Sequence, residues 1–214
     1  LFDYEYPKKV SIRSYNPPVE PEQNQVDRVI SALKESKRPV IYAGGGTIAS
    51  NASDELRELN SYIKAPVTNT LMGLGVYPGT DKYFLGMLGM HGTYQANMAM
   101  HNADLILAIG ARFDDRITNT PSKFAPKAKI VHFDVDHSSV SKIIEADIAV
   151  FGQVKNSLQA INEKLKLESE EFDEGRFTDW HNQIADWRKS HGLNHELYLE
   201  VDDSKPVLPQ AAVQ

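Results

Sequence analysis

The sequence predicts an α/β fold in which helices cover both faces of a parallel sheet. The strand candidates are short, uniformly apolar runs, which is typical of strands with both faces buried. The segments between them carry apolar residues at the spacing of an amphipathic helix. Alternation of such strands and helices favours parallel pairing through right-handed crossovers, so a doubly wound sheet is expected.

The chain begins with a predicted linker. Pro17, Pro18 and Pro21 resist both helix and strand, so residues 1–21 are interpreted as an inter-domain connection. A helix should follow, because apolar residues then recur at i, i+3, i+4 and i+7: Val26, Val29, Ile30 and Leu33. Pro39 should end this helix.

Five apolar runs are predicted to be strands: residues 40–43, 66–68, 105–109, 130–135 and 148–151. A helix beginning near Ser53 should separate the first two strands, since Leu56, Leu59 and Ile63 share one face. The stretches around residues 71–75 and 86–92 are apolar but interrupted by glycines, which makes them poor helices and poor strands.

Two further helices are predicted after the last strand. Val154, Leu158, Ile161 and Leu165 share the face of the first. Trp180, Ile184 and Trp187 form an apolar stripe on the second, which should pack against something. The domain prediction is a linker at 1–21, a central domain at 22–166, and an acidic linker with the start of a further domain at 167–214.

Charge and composition exclude several classes of protein. The net charge of −6 argues against a nucleic-acid binder, and residues 156–214 account for it with six basic and twelve acidic residues. The absence of cysteine excludes disulfide scaffolds, thiolate zinc sites and cysteine nucleophiles. No apolar run approaches the roughly 20 residues that span a bilayer. A soluble, cytoplasmic chain without membrane contact is expected.

The first two strand ends suggest a nucleotide site. Gly44, Gly46 and Ala49 satisfy G-x-G-x-x-G/A between a strand and a helix, where backbone N–H groups can approach a phosphate. A glycine-rich turn without a ligand is the alternative. The second strand ends in Asn69 and Thr70 rather than in the carboxylate that binds an NAD ribose, which disfavours an ordinary NAD dehydrogenase.

The glycine-spaced stretches leave two interpretations open. They can be core loops that close the sheet edge, or an apolar wall against a flat ring system, where methionine adapts well. His91 alone is more often a hydrogen-bonded core histidine than a ligand group.

Charged residues follow the third and fourth strands. Arg112, Asp114, Asp115 and Arg116 are suited to binding phosphate or carboxylate, with a surface ion-pair network as the alternative. Asp134 is placed to accept hydrogen bonds from ribose hydroxyls, with an exposed aspartate that opens the next turn as the alternative. The sequence contains no nucleophile elbow of a Ser/His/Asp triad and no H-E-x-x-H zinc motif. It also lacks a Walker A lysine loop and a G-D-G turn that binds a metal and a diphosphate.

Four motifs together resemble one family. Residues 70–75 (TLMGLG), 89–93 (GMHGT), 101–104 (HNAD) and 112–116 (RFDDR) closely resemble, in this order, the central domain of acetohydroxyacid (acetolactate) synthase. Members of that family are thiamine-diphosphate enzymes. The resemblance covers about residues 1–165.

This resemblance implies a DHS-like (sirtuin-like) domain that binds FAD. The implied cofactor-binding residues are Gly45, Gly46, Thr70, Leu71, Met72, Leu88, Gly89, Met90, His91, Gly110, Ala111, Arg112, Phe113, Asp114, Asp134, Val135 and Val154. Arg116 is implied to receive the carboxylate of the second 2-ketoacid, and no catalytic residue or metal ligand is expected within the chain. Gln153 departs from the aspartate that is frequent in the family.

The resemblance also implies an activity. The family condenses pyruvate with pyruvate or 2-ketobutyrate, releasing CO2, in branched-chain amino-acid biosynthesis. Thiamine diphosphate and Mg²⁺ would be bound by flanking domains of the same protein, so the chain alone is expected to be inactive. The implied assembly is a homodimer or tetramer, with a possible regulatory small subunit.

Two alternatives remain open from the residues. One is a non-catalytic FAD- or NAD-binding module of electron-transfer-flavoprotein or sirtuin-like type. The other is a domain that keeps the fold but binds nothing until flanking domains and a second subunit complete its site.

Overall fold

The computed structural model describes residues 3–8, 10, 12, 14, 16–168 and 175–192. Within these ranges the chain forms a six-stranded parallel sheet of order β3-β2-β1-β4-β5-β6. The strands are β1 (Pro39–Ala43), β2 (Val67–Asn69), β3 (Phe84–Met87), β4 (Leu105–Ile109), β5 (Lys129–Asp134) and β6 (Ile148–Phe151). Strand order reverses between β1 and β4, which places a switch point at the centre of the sheet.

Helices cover both faces of the sheet, as the sequence predicts. They are α1 (Gln23–Glu35), α2 (Gly45–Ala49), α3 (Ser53–Ile63), α4 (Tyr94–Asn102), α5 (Asp115–Thr118), α6 (Val154–Leu167) and α7 (Thr178–His191). Short 3₁₀ turns occur at Leu71–Gly73 and Pro121–Lys123. None of the helices in the described ranges is long and apolar enough to cross a membrane.

The sheet separates two hydrophobic cores. Ile41 and Leu107 point into a core shared with α1, α3 and α6. Tyr42 and Ala108, one residue further along each strand, point into a core shared with α4 and α7. This alternation of side-chain direction along each strand explains why uniformly apolar runs are needed: both faces of β1 and β4 are buried.

The prediction that residues around 86–92 avoid strand structure is wrong for β3. Phe84–Met87 pairs with β2 at the sheet edge, although the register shifts between Val67 and Asn69. Gly86 lies at φ +89, a conformation that favours glycine, and of the four β3 residues only Leu85 is fully buried. Phe84–Met87 is therefore a strand because it pairs with β2, although its own sequence pattern does not indicate one.

Helix α7 packs onto the α4 side of the sheet, so the predicted tryptophan stripe does find a partner. Trp180 is 2% exposed and its Nε1 donates to the Pro39 carbonyl at 3.1 Å. Arg188 donates to the Phe84 carbonyl at 2.7 Å. Trp187 is partly buried and lies edge-on to Trp180, with ring centroids 5.7 Å apart. The helix thus connects the amino ends of β1 and β3.

Candidate cofactor-binding site

A cavity of about 730 Å³ lies where the carboxyl ends of the strands meet their loops. This is the position and the size range in which open α/β sheets bind cofactors. Its lining comprises Pro17, Gly45, Gly46, Ala49, Ser50, Thr70, Leu71, Met72, Met87, Leu88, Met90, His91, Gly110, Ala111, Arg112, Asp114, Arg116, Ile117, Asp134, Val135, Ser139, Gln153 and Val154. Segments that follow all six described strands therefore contribute to one wall.

Nearly all of the site residues expected from the sequence meet in this cavity. Gly89 and Phe113 are outside its lining. Phe113 is buried between Tyr42 and His132, with ring centroids 5.7 and 5.3 Å away. Met87 lies in the stretch 86–92 that the sequence offered as an apolar wall. The lining residues that sequence reasoning missed include Ile117, whose only signal is an apolar side chain beside the predicted site residue Arg116.

Glycines let the loops after β1 and β4 interlock at one end of the cavity. The Gly46 N–H donates to the Gly110 carbonyl at 2.9 Å. A Cβ on Gly46 would lie 2.8 Å from Gly110 Cα, and one on Gly110 would lie 2.6 Å from the Thr47 backbone nitrogen. Buried Thr47 adds a hydrogen bond from its hydroxyl to the Ile109 carbonyl at 2.9 Å. Only glycines permit this approach, which leaves bare backbone facing the cavity.

Large apolar side chains form another part of the wall. Leu71, Met72 and Met90 are 67%, 75% and 66% exposed, whereas Leu88 is buried. Exposed apolar groups clustered at a cavity are typical of a surface that receives a ligand or another protein surface. Beside them, the hydroxyl oxygen of Thr70 is buried and has no hydrogen-bond partner among the described residues. A buried polar atom of this kind is suited to a ligand that supplies the missing bond.

The charged segment at the end of β4 is loosely paired. Arg112 Nη2 is 3.9 Å from Asp114 Oδ2, and Arg116 Nε is 3.8 Å from Asp115 Oδ1. Both arginine side chains are largely exposed. Pairs this long and this solvated satisfy little of a guanidinium's donor capacity, so both arginines can still bind an anion.

A buried aromatic layer supports this segment from beneath. Tyr42, Ala108 and His132 occupy one row across β1, β4 and β5, and Phe113 covers the row. The Tyr42 hydroxyl donates to the Arg112 carbonyl at 3.2 Å. Burial raises the pKa of Tyr42, with the Asp114 charge adding to the effect, so the hydroxyl remains a donor at neutral pH.

His132 belongs to the same layer and lies two residues before Asp134 on β5. Its Nε2 lies 3.9 Å from Asp134 Oδ2, and the imidazole is almost fully buried. Burial lowers the pKa of His132 and outweighs the opposing effect of the Asp134 charge, so the ring is neutral at pH 7. Asp134 itself is partly exposed and lines the cavity.

Comparison with known proteins links this site to one family. The model of the family described as "Thiamine pyrophosphate enzyme, central domain" matches residues 26–161. The chain is 44% identical over 211 residues to the acetolactate synthase large subunit of Buchnera aphidicola subsp. Acyrthosiphon pisum, and 42% identical over 211 residues to the acetolactate synthase isozyme 3 large subunit of Escherichia coli K12. Each alignment covers 99% of this chain and 36% of the relative.

A third relative shows the same relationship. The probable acetolactate synthase large subunit of Methanocaldococcus jannaschii is 40% identical over 212 residues, which is 99% of this chain and 34% of that protein. The chain thus spans about a third of the length of the curated relatives that it matches.

Proposed function

Because the chain belongs to the thiamine pyrophosphate enzymes, we propose that it is the FAD-binding central domain of an acetolactate synthase large subunit. Its match to the central domain of those enzymes covers residues 26–161. The observation that carries this proposal is the cavity in which a glycine cradle, exposed arginines and an apolar wall come together. The identity of 40 to 44% to proteins named acetolactate synthase supports it.

The residues present fit FAD. Its diphosphate would lie against the backbone of Gly45 and Gly46 and receive the guanidinium of Arg112. Its adenosine would lie near Val135, with ribose hydroxyls donating to Asp134. The hydroxyl of Thr70, which lacks a partner among the described residues, supports a polar ligand at the second loop.

The apolar wall fits the planar part of the same cofactor. Leu71, Met72, Met90 and His91 would contact the isoalloxazine ring. Bound there, FAD supplies a flat, rigid ring system, and condensation of two 2-ketoacids with release of CO2 needs no net change in its redox state. We assign Arg116, at the cavity edge, to the carboxylate of the second ketoacid, since its guanidinium is exposed and only loosely paired.

The proposal extends to the intact protein. Thiamine diphosphate and Mg²⁺ would be bound by parts of a longer chain, and the protein would form a cytoplasmic homodimer or tetramer, with or without a small subunit. Residues 22–166 would be the DHS-like domain and residues 1–21 a linker. Residues 167–214 would be an acidic linker and the start of a further domain, with α7 of this segment packed back onto the DHS-like domain. The strand order β3-β2-β1-β4-β5-β6 and the match that covers roughly a third of the relatives support this assignment.

Titration of the purified chain with FAD, followed by flavin fluorescence, tests the proposal. We expect saturable binding at tens of micromolar or below, and weaker competition by NAD. Replacing Arg112 with alanine should raise the dissociation constant about tenfold or more, because it removes a charge-assisted hydrogen bond to phosphate.

Arg57→Ala is the matched control. Arg57 is half-exposed on α3, pairs with Asp54 and lies outside the cavity lining. An unchanged titration for Arg112→Ala would refute its phosphate role. Absence of saturable binding by the wild-type chain would refute binding by this domain on its own, and equal affinity for NAD would favour a generic dinucleotide module.

A further inference from the structure

The loop that follows β3 is shaped by a residue outside the cavity. Residues 88–91 connect β3 towards α4, and Leu88, Met90 and His91 line the cavity. Gly89 within this loop lies at φ +96, and a Cβ there would be 2.8 Å from the Arg116 carbonyl oxygen. The backbone of Gly89 is therefore pressed against the segment that carries Arg116.

One side chain of α4 binds both backbone polar groups of Gly89. The Gly89 N–H donates to Asn97 Oδ1 at 2.8 Å, and Asn97 Nδ2 donates to the Gly89 carbonyl at 3.0 Å. An amide that forms both bonds imitates the pairing between two strands. A single exposed asparagine thus supplies the two hydrogen bonds that a neighbouring strand would form with Gly89.

The start of α4 is anchored, so the amide has a fixed position. Thr93 caps the helix by accepting from the Ala96 N–H, and its hydroxyl donates to the Leu85 carbonyl at 2.6 Å. Gln95 donates to the same carbonyl at 3.1 Å. These bonds connect the first turn of α4 to β3.

The loop is also joined directly to the Arg116 segment. The Met90 N–H donates to the Arg116 carbonyl at 3.1 Å. We propose that Asn97 is a positioning residue that holds residues 88–91 in the shape that receives the flavin ring and sets its distance from Arg116. This inference rests on the proposed function, because it assumes that the flavin occupies the cavity.

Asn97→Ala in the 214-residue chain tests the inference. Alanine is a better helix former than asparagine, so a purely structural role in α4 predicts an unchanged or raised melting temperature and unchanged FAD binding. A positioning role predicts that the dissociation constant for FAD rises about tenfold, since two hydrogen bonds to the loop are lost. The Gly89 amide should also exchange with solvent faster in the FAD-free protein.

Two further variants sharpen the comparison. Asn102→Ala removes an asparagine of the same helix whose side chain, among the described residues, bonds only the Met98 carbonyl, so FAD binding should stay at the wild-type level. Asn97→Asp keeps the acceptor for the Gly89 N–H but loses the donor to its carbonyl. Gly89 should therefore stay protected from exchange while FAD binding weakens.

The outcomes separate this inference from the function on which it rests. If the wild-type chain binds no FAD, binding by this domain on its own is refuted, and this inference, which assumes a flavin in the cavity of the chain, fails with it. If the wild type binds FAD and Asn97→Ala binds it equally well, only the positioning role is overturned. An equal loss of affinity in Asn102→Ala would overturn it too, because the effect would then belong to α4 as a whole.

Discussion

Replacement of Gly110 by alanine measures how tightly the loops after β1 and β4 interlock. Gly110 lies at φ +57, and a Cβ there would stand 2.6 Å from the Thr47 nitrogen and 2.7 Å from the Gly46 carbonyl carbon. Both are backbone atoms, which cannot rotate away as the end of a side chain can. The added methyl group must therefore strain the backbone and push the two loops apart.

The expected loss has two parts. A left-handed conformation costs an alanine roughly 1–2 kcal/mol. Forcing an extra carbon into a packed region costs about 1–3 kcal/mol more. The sum, roughly 2–5 kcal/mol, is a large share of the roughly 5–15 kcal/mol that stabilises a typical domain.

Two other glycines separate these contributions. Gly75 lies at φ +92, and a Cβ there would meet nothing within 4 Å, so Gly75→Ala should incur only the backbone cost. Gly79 lacks a positive φ and would bring its Cβ no closer than 3.9 Å to Phe84, so alanine there should be neutral or stabilise by about 0.4–1 kcal/mol.

Urea unfolding followed by tryptophan fluorescence gives the free energy of unfolding of the wild type and of each of the three variants by linear extrapolation. The order of loss should be Gly110→Ala, then Gly75→Ala, then Gly79→Ala. Equal losses for Gly110→Ala and Gly75→Ala would refute the steric reasoning, since only the first variant meets backbone atoms.

Trp180→Phe should lower the free energy of unfolding by about 1–3 kcal/mol, because the bond to the buried Pro39 carbonyl is lost. Trp187→Phe only replaces a partly buried indole with a smaller ring and should cost less. The reverse order in urea unfolding would contradict the docking of α7. The pH dependence of unfolding should change in His132→Gln. Burial lowers the pKa of His132 below 6.5 in the folded state, so the unfolded chain binds a proton at a higher pH than the folded chain does. The contribution of the neutral imidazole to the free energy of unfolding is therefore complete above pH 6.5 and is lost as the pH falls. The variant should therefore lose less stability than the wild type between pH 8 and pH 5.5, and parallel curves would show that this imidazole does not contribute.

Much of the sheet is predictable because its strands are buried on both faces. The runs at 40–43 and 105–109 fall within β1 and β4, since an uninterrupted apolar stretch between turns has few other stable arrangements. Strand β3 escapes prediction because it holds a left-handed glycine and one fully buried residue, and only its pairing with β2 makes it a strand.

The candidate site divides in a similar way. Its strand-end residues are predictable because the carboxyl ends of parallel strands share one edge. The side-chain direction of Phe113 is not predictable, since it follows a strand in irregular backbone and turns into the core. Asn97 carries no local signal either, because its hydrogen bonds depend on how α4 is placed against the loop after β3.

The docking of α7 has a consequence for the order in which the protein can mature on the ribosome. The bond from Trp180 to Pro39 joins residues 141 positions apart, so β1 is synthesised long before the helix that covers its amino end. Until α7 emerges, Val40 and its neighbours on that face lack part of their cover, and the nascent chain presents apolar surface to chaperones. Truncation at residue 161, where the family match ends, would make that transient exposure permanent. Expression of a stable unit therefore requires a stop point beyond His191.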